Sequence, residues 1–130
     1  MFIDTSVIVA ILSREPDATE FAHRIAATPQ CCTSALVVVE AAMRLSTKLG
    51  VDPVEVGKRI QALLDEAGIT LVAMDAKTAS LAVRAFADYG KGRGHPAQLN
   101  LADCLSYACA KAQGIALLYK GNDFALTDLG

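Results

Sequence analysis

Met1-Phe2-Ile3-Asp4-Thr5-Ser6 opens the chain with apolar residues that run straight into a carboxylate and two hydroxyls. Successive apolar side chains point to both faces of an extended chain, so Met1 to Asp4 reads as a strand buried on both sides, the kind found in parallel sheets. A helix follows from about Ser6 to Leu12 and is broken by Ser13-Arg14-Glu15-Pro16. The same beat repeats outward from this start. Asp17 is placed to cap a second helix through about Ala27, closed by Pro29. A strand over Gln30 to Thr33 leads to Ser34, a good N-cap, and a long apolar helix from Ala35 to about Leu49 that Gly50 ends. Asp52-Pro53 opens a helix to about Ala67, with Gly68 as its stop. Ile69 to Met74 reads as the third strand, and Asp75 caps a helix to about Tyr89. The glycine-rich stretch from Gly90 to Pro96 is an open loop. Asn100 caps a last helix to about Gln113, Gly114 ends it, and Ile115 to Tyr119 forms a fourth strand before a turn at Gly121-Asn122.

Continuous apolar strands alternating with helices predict an α/β, three-layer fold: a central, mostly parallel sheet of about four to five strands flanked by helices. No linker, repeat or low-complexity tract interrupts residues 1–130, which are expected to form a single domain. In such sheets ligands bind beyond the carboxyl ends of the strands.

Four acids lie in uncharged or apolar surroundings and can all reach that edge. Asp4 ends the first strand, Asp123 lies just past the fourth, Asp103 sits in the first turn of its helix, and Glu40 lies about one and a half turns into the helix after the second strand. Carboxylates withdrawn from water are costly unless protonated or paired with a cation. Gathered without a basic residue among them, they make a hard divalent cation, Mg²⁺ or Mn²⁺, the natural counter-ion. Thr5 and Ser6 are placed to hydrogen-bond a carboxylate and hold its orientation. Each acid also has a plainer use. Asp4 suits the cap of the first helix, Glu40 stands four residues before Arg44 and suits an ion pair, Asp103 suits a helix dipole, and Asp123 suits a turn.

Composition bounds the rest. The chain is 53% hydrophobic, high for 130 residues, so apolar surface is expected to remain for a partner or a second copy of the chain. The net charge of −2 turns positive once the four gathered acids are set aside, which leaves room for a basic rim that meets nucleic acid. No apolar run approaches the ~20 residues of a membrane span, no export signal is read, and a reducing cytoplasm is the expected location. The four cysteines at 31, 32, 104 and 109 have neither zinc spacing nor a disulfide framework and read as small buried hydrophobes.

Met-Phe-Ile-Asp-Thr-Ser-Val at residues 1–7, a glutamate inside an apolar helix after a Thr-Ser strand end, Leu-Asn-Leu-Ala-Asp-Cys-Leu-Ser-Tyr-Ala-Cys-Ala at residues 99–110, and Leu-Leu-Tyr-Lys-Gly-Asn-Asp-Phe-Ala-Leu-Thr-Asp at residues 117–128 together resemble the PIN-domain ribonucleases of the VapC toxin type. The resemblance spans the chain. It implies that Asp4, Glu40, Asp103 and Asp123 form the Mg²⁺ or Mn²⁺ site of an endoribonuclease, Asp4 and Asp103 being the first choice as ligands. It also implies a VapB-like antitoxin whose tail blocks that site, an RNA substrate, and a homodimer within the toxin–antitoxin complex. Two departures stand out. Asn122 occupies a position where an acid is frequent, and the chain ends soon after Thr127-Asp128, short of a final strand.

Lys91, Arg93 and His95, in the glycine-rich loop just before the Asp103 helix, are placed to meet an RNA backbone, unless the loop is only solvated. Arg44 and Lys48 either extend a basic rim or form an ordinary solvated helix face. The low aromatic content argues against a base-stacking platform. Competing readings are a receiver-like module with Asp75 as phospho-acceptor and Lys120 as its partner, and a housekeeping PIN nuclease without an antitoxin. A haloacid-dehalogenase-like phosphatase would need a second aspartate that Asp4-Thr5-Ser6 lacks.

Overall fold

The computed structural model describes residues 1–130. Its elements in chain order are β1 (Phe2–Ile3), α1 (Thr5–Leu12), α2 (Ala18–Ala26), β2 (Cys31–Thr33), α3 (Ala35–Leu49), α4 (Pro53–Ala67), β3 (Ile69–Leu71), α5 (Ala76–Tyr89), α6 (Leu101–Gln113) and β4 (Leu117–Leu118). The sheet is four-stranded and parallel throughout, in the order β3-β2-β1-β4. It has helices on its faces, the three-layer α/β architecture expected from the alternation. The two central strands are buried, Phe2 and Ile3 completely so, because both faces of a parallel sheet are covered, and the one polar side chain among them, Thr33, donates its hydroxyl to the Ile3 carbonyl.

The strands are shorter than their apolar runs. β3 and β4 are the sheet's two edges, and each has one neighbour to pair with. β3 stops where its partner stops: the Val72 N–H still reaches the Thr33 carbonyl at 2.9 Å, and past that point Ala73 and Met74 have nothing to pair with. β4 likewise pairs only alongside Phe2 and Ile3. Helix ends follow the local code. Gly50, Gly68 and Gly114 all adopt left-handed backbone just past α3, α4 and α6, where a side chain would be strained.

One expected cap is absent. Asp17 stands at the N-cap position of α2 but makes no capping bond, because its carboxylate accepts from the Lys120 ammonium at 3.0 Å. The terminal residues 119–130 contain no strand. They form a turn-rich segment anchored by Phe124, which is 1% exposed and packs edge-on to Tyr119.

The order β3-β2-β1-β4 makes the switch point fall between β1 and β4, since the chain leaves β1 for one side of the sheet and returns at the end to the other. That crevice is where a parallel sheet presents ligand-binding groups. The four cysteines are buried and unbonded, and no helix is long and apolar enough to cross a membrane.

Candidate functional site

Asp4 follows β1 directly, and its position caps α1. Its Oδ2 accepts from the Ser6 backbone N–H at 3.1 Å and from the Ser6 hydroxyl at 2.6 Å. Ser6 Oγ in turn accepts from the Lys120 N–H at 2.9 Å, so the turn after β4 is stitched to the start of α1 through the same hydroxyl. Asp4 is buried, and its other oxygen has no hydrogen bond. Thr5, expected to share the orienting work, does not do so here. Its Oγ1 is buried without any partner, a costly state for a hydroxyl and one that leaves an unmet polar atom beside Asp4.

Asp103 is held in the same manner. Asn100 and Asp103 form a capping box at the start of α6: the Asn100 N–H donates to Asp103 Oδ2 at 3.0 Å, and the Asp103 N–H donates to the Asn100 side chain at 2.9 Å. Each of the two aspartates thus spends one oxygen on a helix terminus and keeps the other free of hydrogen bonds. The plainer use of each residue is real, and it is also what fixes the carboxylate in place.

The four acids share one electrostatic neighbourhood. Burial pushes the Asp103 carboxyl up to about 6, against a capping N–H that pulls it down, and the charges of Asp123, Asp4 and Glu40 push it further. Asp123 is exposed and Glu40 partly buried. None of the four takes part in an ion pair; in particular Glu40 does not pair with Arg44. The acids gather without closing into a cage, since no three acidic, histidine or cysteine side chains stand close enough together to hold an ion as they are. The donor set nonetheless suits a hard cation: all oxygens, only Asp4 Oδ2 and Asp103 Oδ2 of the four carboxylates being hydrogen-bonded, with a buried unpartnered hydroxyl alongside.

The basic candidates separate. Lys91 and Arg93 are exposed on the loop, Arg93 lying 5.8 Å above the Phe86 ring. His95 turns inward: its ring packs edge-on to Tyr89 at 4.9 Å and its Nδ1 accepts from the Ala97 N–H, so it shapes the loop. Lys48 bonds Glu15 and Ser13. Lys120 is clamped by Glu15 at 2.6 Å and Asp17 at 3.0 Å, and Asp75 caps α5, so neither is set up as a receiver pair.

Two arrangements were not foreseen from the sequence. One is the Lys120–Glu15–Asp17 clamp. The other is Asp128, which accepts from the hydroxyls of Tyr107 and Tyr89 and from Lys111 at 2.8 Å. Tyr107 and Lys111 follow Asp103 at four-residue steps along α6, a regularity visible in the sequence. Nothing local marks Asp128 as their partner.

The apolar surplus is exposed beside the acids. Leu101, two residues before Asp103, is 76% exposed and lines a shallow groove with Val83 and Phe86 of α5.

Comparisons with known proteins bear on the family and the fold. The family model for the PIN domain matches residues 1–129. A VapC ribonuclease of Rhizobium meliloti is 43% identical over 140 aligned residues, covering 99% of each chain. Ribonuclease VapC42 of Mycobacterium tuberculosis is 41% identical, covering 99% of this chain and 96% of the relative. Among solved structures, the Mycobacterium tuberculosis toxin VapC20, described as cleaving the sarcin–ricin loop, superposes with a TM-score of 0.75 at 17% identity, over 98% of this chain and 94% of that one. With a parallel sheet whose switch point gathers unpaired acids, and with relatives matched along almost their whole length, the chain belongs to the PIN-domain family, among the VapC-type ribonuclease toxins.

Proposed function

We propose that this chain is a metal-dependent endoribonuclease in which Asp4, Glu40, Asp103 and Asp123 hold Mg²⁺ or Mn²⁺ at the β1–β4 crevice. The observation that carries the reading is the shared field of four carboxylates with no cation among them: Asp103, raised to about 6 first by burial, is pushed further by the charges of Asp123, Asp4 and Glu40. A divalent cation bound there would offset the negative charge of a phosphodiester and make a water acidic enough to attack it. Ser6 and Asn100 supply the preorganisation, since each fixes one oxygen of an aspartate and leaves the other available. The unpartnered Thr5 hydroxyl is suited to a water or phosphate oxygen in the same crevice. The absence of a ready-made cage is consistent with carboxylates that draw together only when a cation offsets their repulsion.

RNA is the substrate, its backbone met by Lys91 and Arg93. The exposed stripe of Val83, Phe86 and Leu101 suits a protein partner, either a VapB-like antitoxin or a second copy of the chain. Incubating the purified protein with RNA, with and without Mg²⁺ or Mn²⁺, and mapping the fragment ends tests the enzymatic part. Cleavage that persists undiminished in excess chelator overturns it. Growth arrest on expression, relieved by a co-purifying small protein, tests the partner; a harmless chain with no binding partner would leave a housekeeping nuclease.

A further inference from the structure

We propose that Asp128 is a positioning residue: its carboxylate fastens the terminal segment that carries Asp123 onto the face of α6 that carries Asp103, through Tyr107 and Lys111. The proposal rests on the nuclease reading for what Asp123 does, and on the hydrogen bonds of the terminal segment for where it is held.

Residues 121–130 have no regular structure, and their backbone hydrogen bonds stay within the segment: Ala125 to Asn122, Thr127 to Phe124, and Gly130 to Thr127. The Thr127 hydroxyl also bonds internally, to the Phe124 carbonyl at 2.8 Å. Every hydrogen bond from these residues to the rest of the chain ends on Asp128. Oδ1 takes the hydroxyls of Tyr107 and Tyr89, and Oδ2 takes the Lys111 ammonium. The stretch that bears Asp123 is therefore held on its upstream side at Lys120, which bonds Ser6, Glu15 and Asp17, and on its downstream side by the apolar packing of Phe124 and Leu129 and by Asp128, its one polar anchor beyond Lys120.

The polar anchor is specific about direction. Asp103, Tyr107 and Lys111 rise along α6 at four-residue steps, so they form one stripe, with the acid at the top and the two donors below it. Docking Asp128 on the lower part of that stripe sets the register of the segment against the helix that carries Asp103. Phe124 and Leu129 supply burial, which is non-directional and tolerates sliding and rotation. The donors on Asp128 remove that freedom.

Magnitudes separate this role from plain stabilisation. The side chains of Lys111 and Asp128 are 38% and 47% exposed, and an ion pair that wet adds little to global stability. Misplacing a catalytic group by about 1 Å, in contrast, costs up to about a hundredfold in rate. Loss of Asp128 is therefore expected in the chemistry and in the local order of the segment, with little change in global unfolding.

The test uses Asp128→Ala and the milder Tyr107→Phe, each alone and combined with Asp123→Asn. Hydrogen exchange is measured on the metal-free full chain, and single-turnover RNA cleavage is measured in Mg²⁺. Asp128→Ala is expected to speed exchange at residues 121–127 but not in β1 or α6, and to lower the cleavage rate at saturating RNA about tenfold with KM within about twofold. Added to Asp123→Asn, it is expected to cost nothing further, because it acts through Asp123. An equal loss of rate in both backgrounds, or unchanged exchange at residues 121–127, overturns the proposal. If Asp128→Ala fails to fold, Tyr107→Phe, which removes one hydroxyl, carries the same cycle. If the wild-type chain cleaves no RNA, the nuclease reading falls, and the exchange data alone decide whether Asp128 holds the segment.

Discussion

Acids serve two opposite purposes at opposite ends of the same few elements. Glu15, Asp17 and Asp128 are each bonded to a lysine, and for Glu15 and Asp128 that lysine's hydrogen bond pulls the carboxyl below its usual range. Asp103 has no cation, and burial with three neighbouring acids pushes it up. The paired acids close the α1–α2 turn and the terminal segment onto the body of the molecule. The unpaired acids are held in place by serine and asparagine, neutral groups that leave the charge uncompensated. The lysines thus neutralise Glu15, Asp17 and Asp128, and none of them pairs with Asp4, Glu40, Asp103 or Asp123.

The most drastic way to break the contrast is to neutralise an unpaired acid. Asp103→Asn is expected to lower Mg²⁺-dependent RNA cleavage by on the order of a hundredfold or more, while the fold survives, because the asparagine oxygen still accepts the Asn100 N–H. A fragment-yield assay at matched protein concentration reads this directly. Activity close to wild type would mean that the acids do not act as a group.

The next effect is on stability against pH, where the two regions have opposite signs. In the folded, metal-free chain Asp103 titrates near 6, above its ordinary 3.8. Between those values the folded state holds a proton that the unfolded state has released, so this group stabilises the fold increasingly as pH falls from about 6 toward 3.8. Glu15 and Asp128 are lowered in the folded state. Their contribution is present above their ordinary values of 4.5 and 3.8 and is lost as pH falls further. Thermal melts in chelator should therefore show Tm rising on acidification below neutrality, then falling below about pH 4. Asp103→Asn is expected to raise Tm at neutral pH and flatten the first limb, leaving the second intact.

Removing a cation from the paired region is expected to do less. Lys120→Ala leaves Asp17 without an ion pair and Glu15 with Lys48 alone. Tm should fall slightly, and the deficit should shrink as salt screens the exposed charges. A deficit that is independent of salt would assign Lys120 a packing role. Smallest of all is the loop. Replacing Lys91 and Arg93 with alanine is expected to make the salt dependence of RNA binding shallower by roughly 0.7 in log–log slope for each lost phosphate contact. An unchanged slope would make the loop a solvated connection.

Local signals carried much of this organisation into the sequence. Strand and helix followed the apolar runs and caps, and the Asp103 carboxyl feels the charges of Asp4, Glu40 and Asp123, although no three of these acids stand close enough to hold an ion as they are. What was not legible depended on distant partners. Strand lengths are decided by the neighbour across the sheet, so Ala73 and Met74 fell outside β3. Asp17 looks like a cap in isolation and becomes an ion-pair partner because Lys120, 103 residues away, arrives beside it. Thr5 and Ser6 are adjacent and chemically alike, yet one bonds Asp4 and the other bonds nothing, a difference of rotamer and helix phase that sequence does not encode locally. His95 reads as a third backbone-contacting residue beside Lys91 and Arg93, and its packing on Tyr89, 6 residues back in the chain, is not marked by the loop's own sequence.

Asp4 and Asp103 both occupy capping geometry, and asparagine caps a helix about as well as aspartate. On the nuclease reading proposed above, loss of activity is therefore a single amide-for-acid exchange away at either position, with no loss of the cap to remove the result. A lineage carrying such a change keeps a well-formed but inert chain with the same outer surface. Whatever recognises that surface cannot tell it from an active copy, so inert copies compete with active ones for every partner they share.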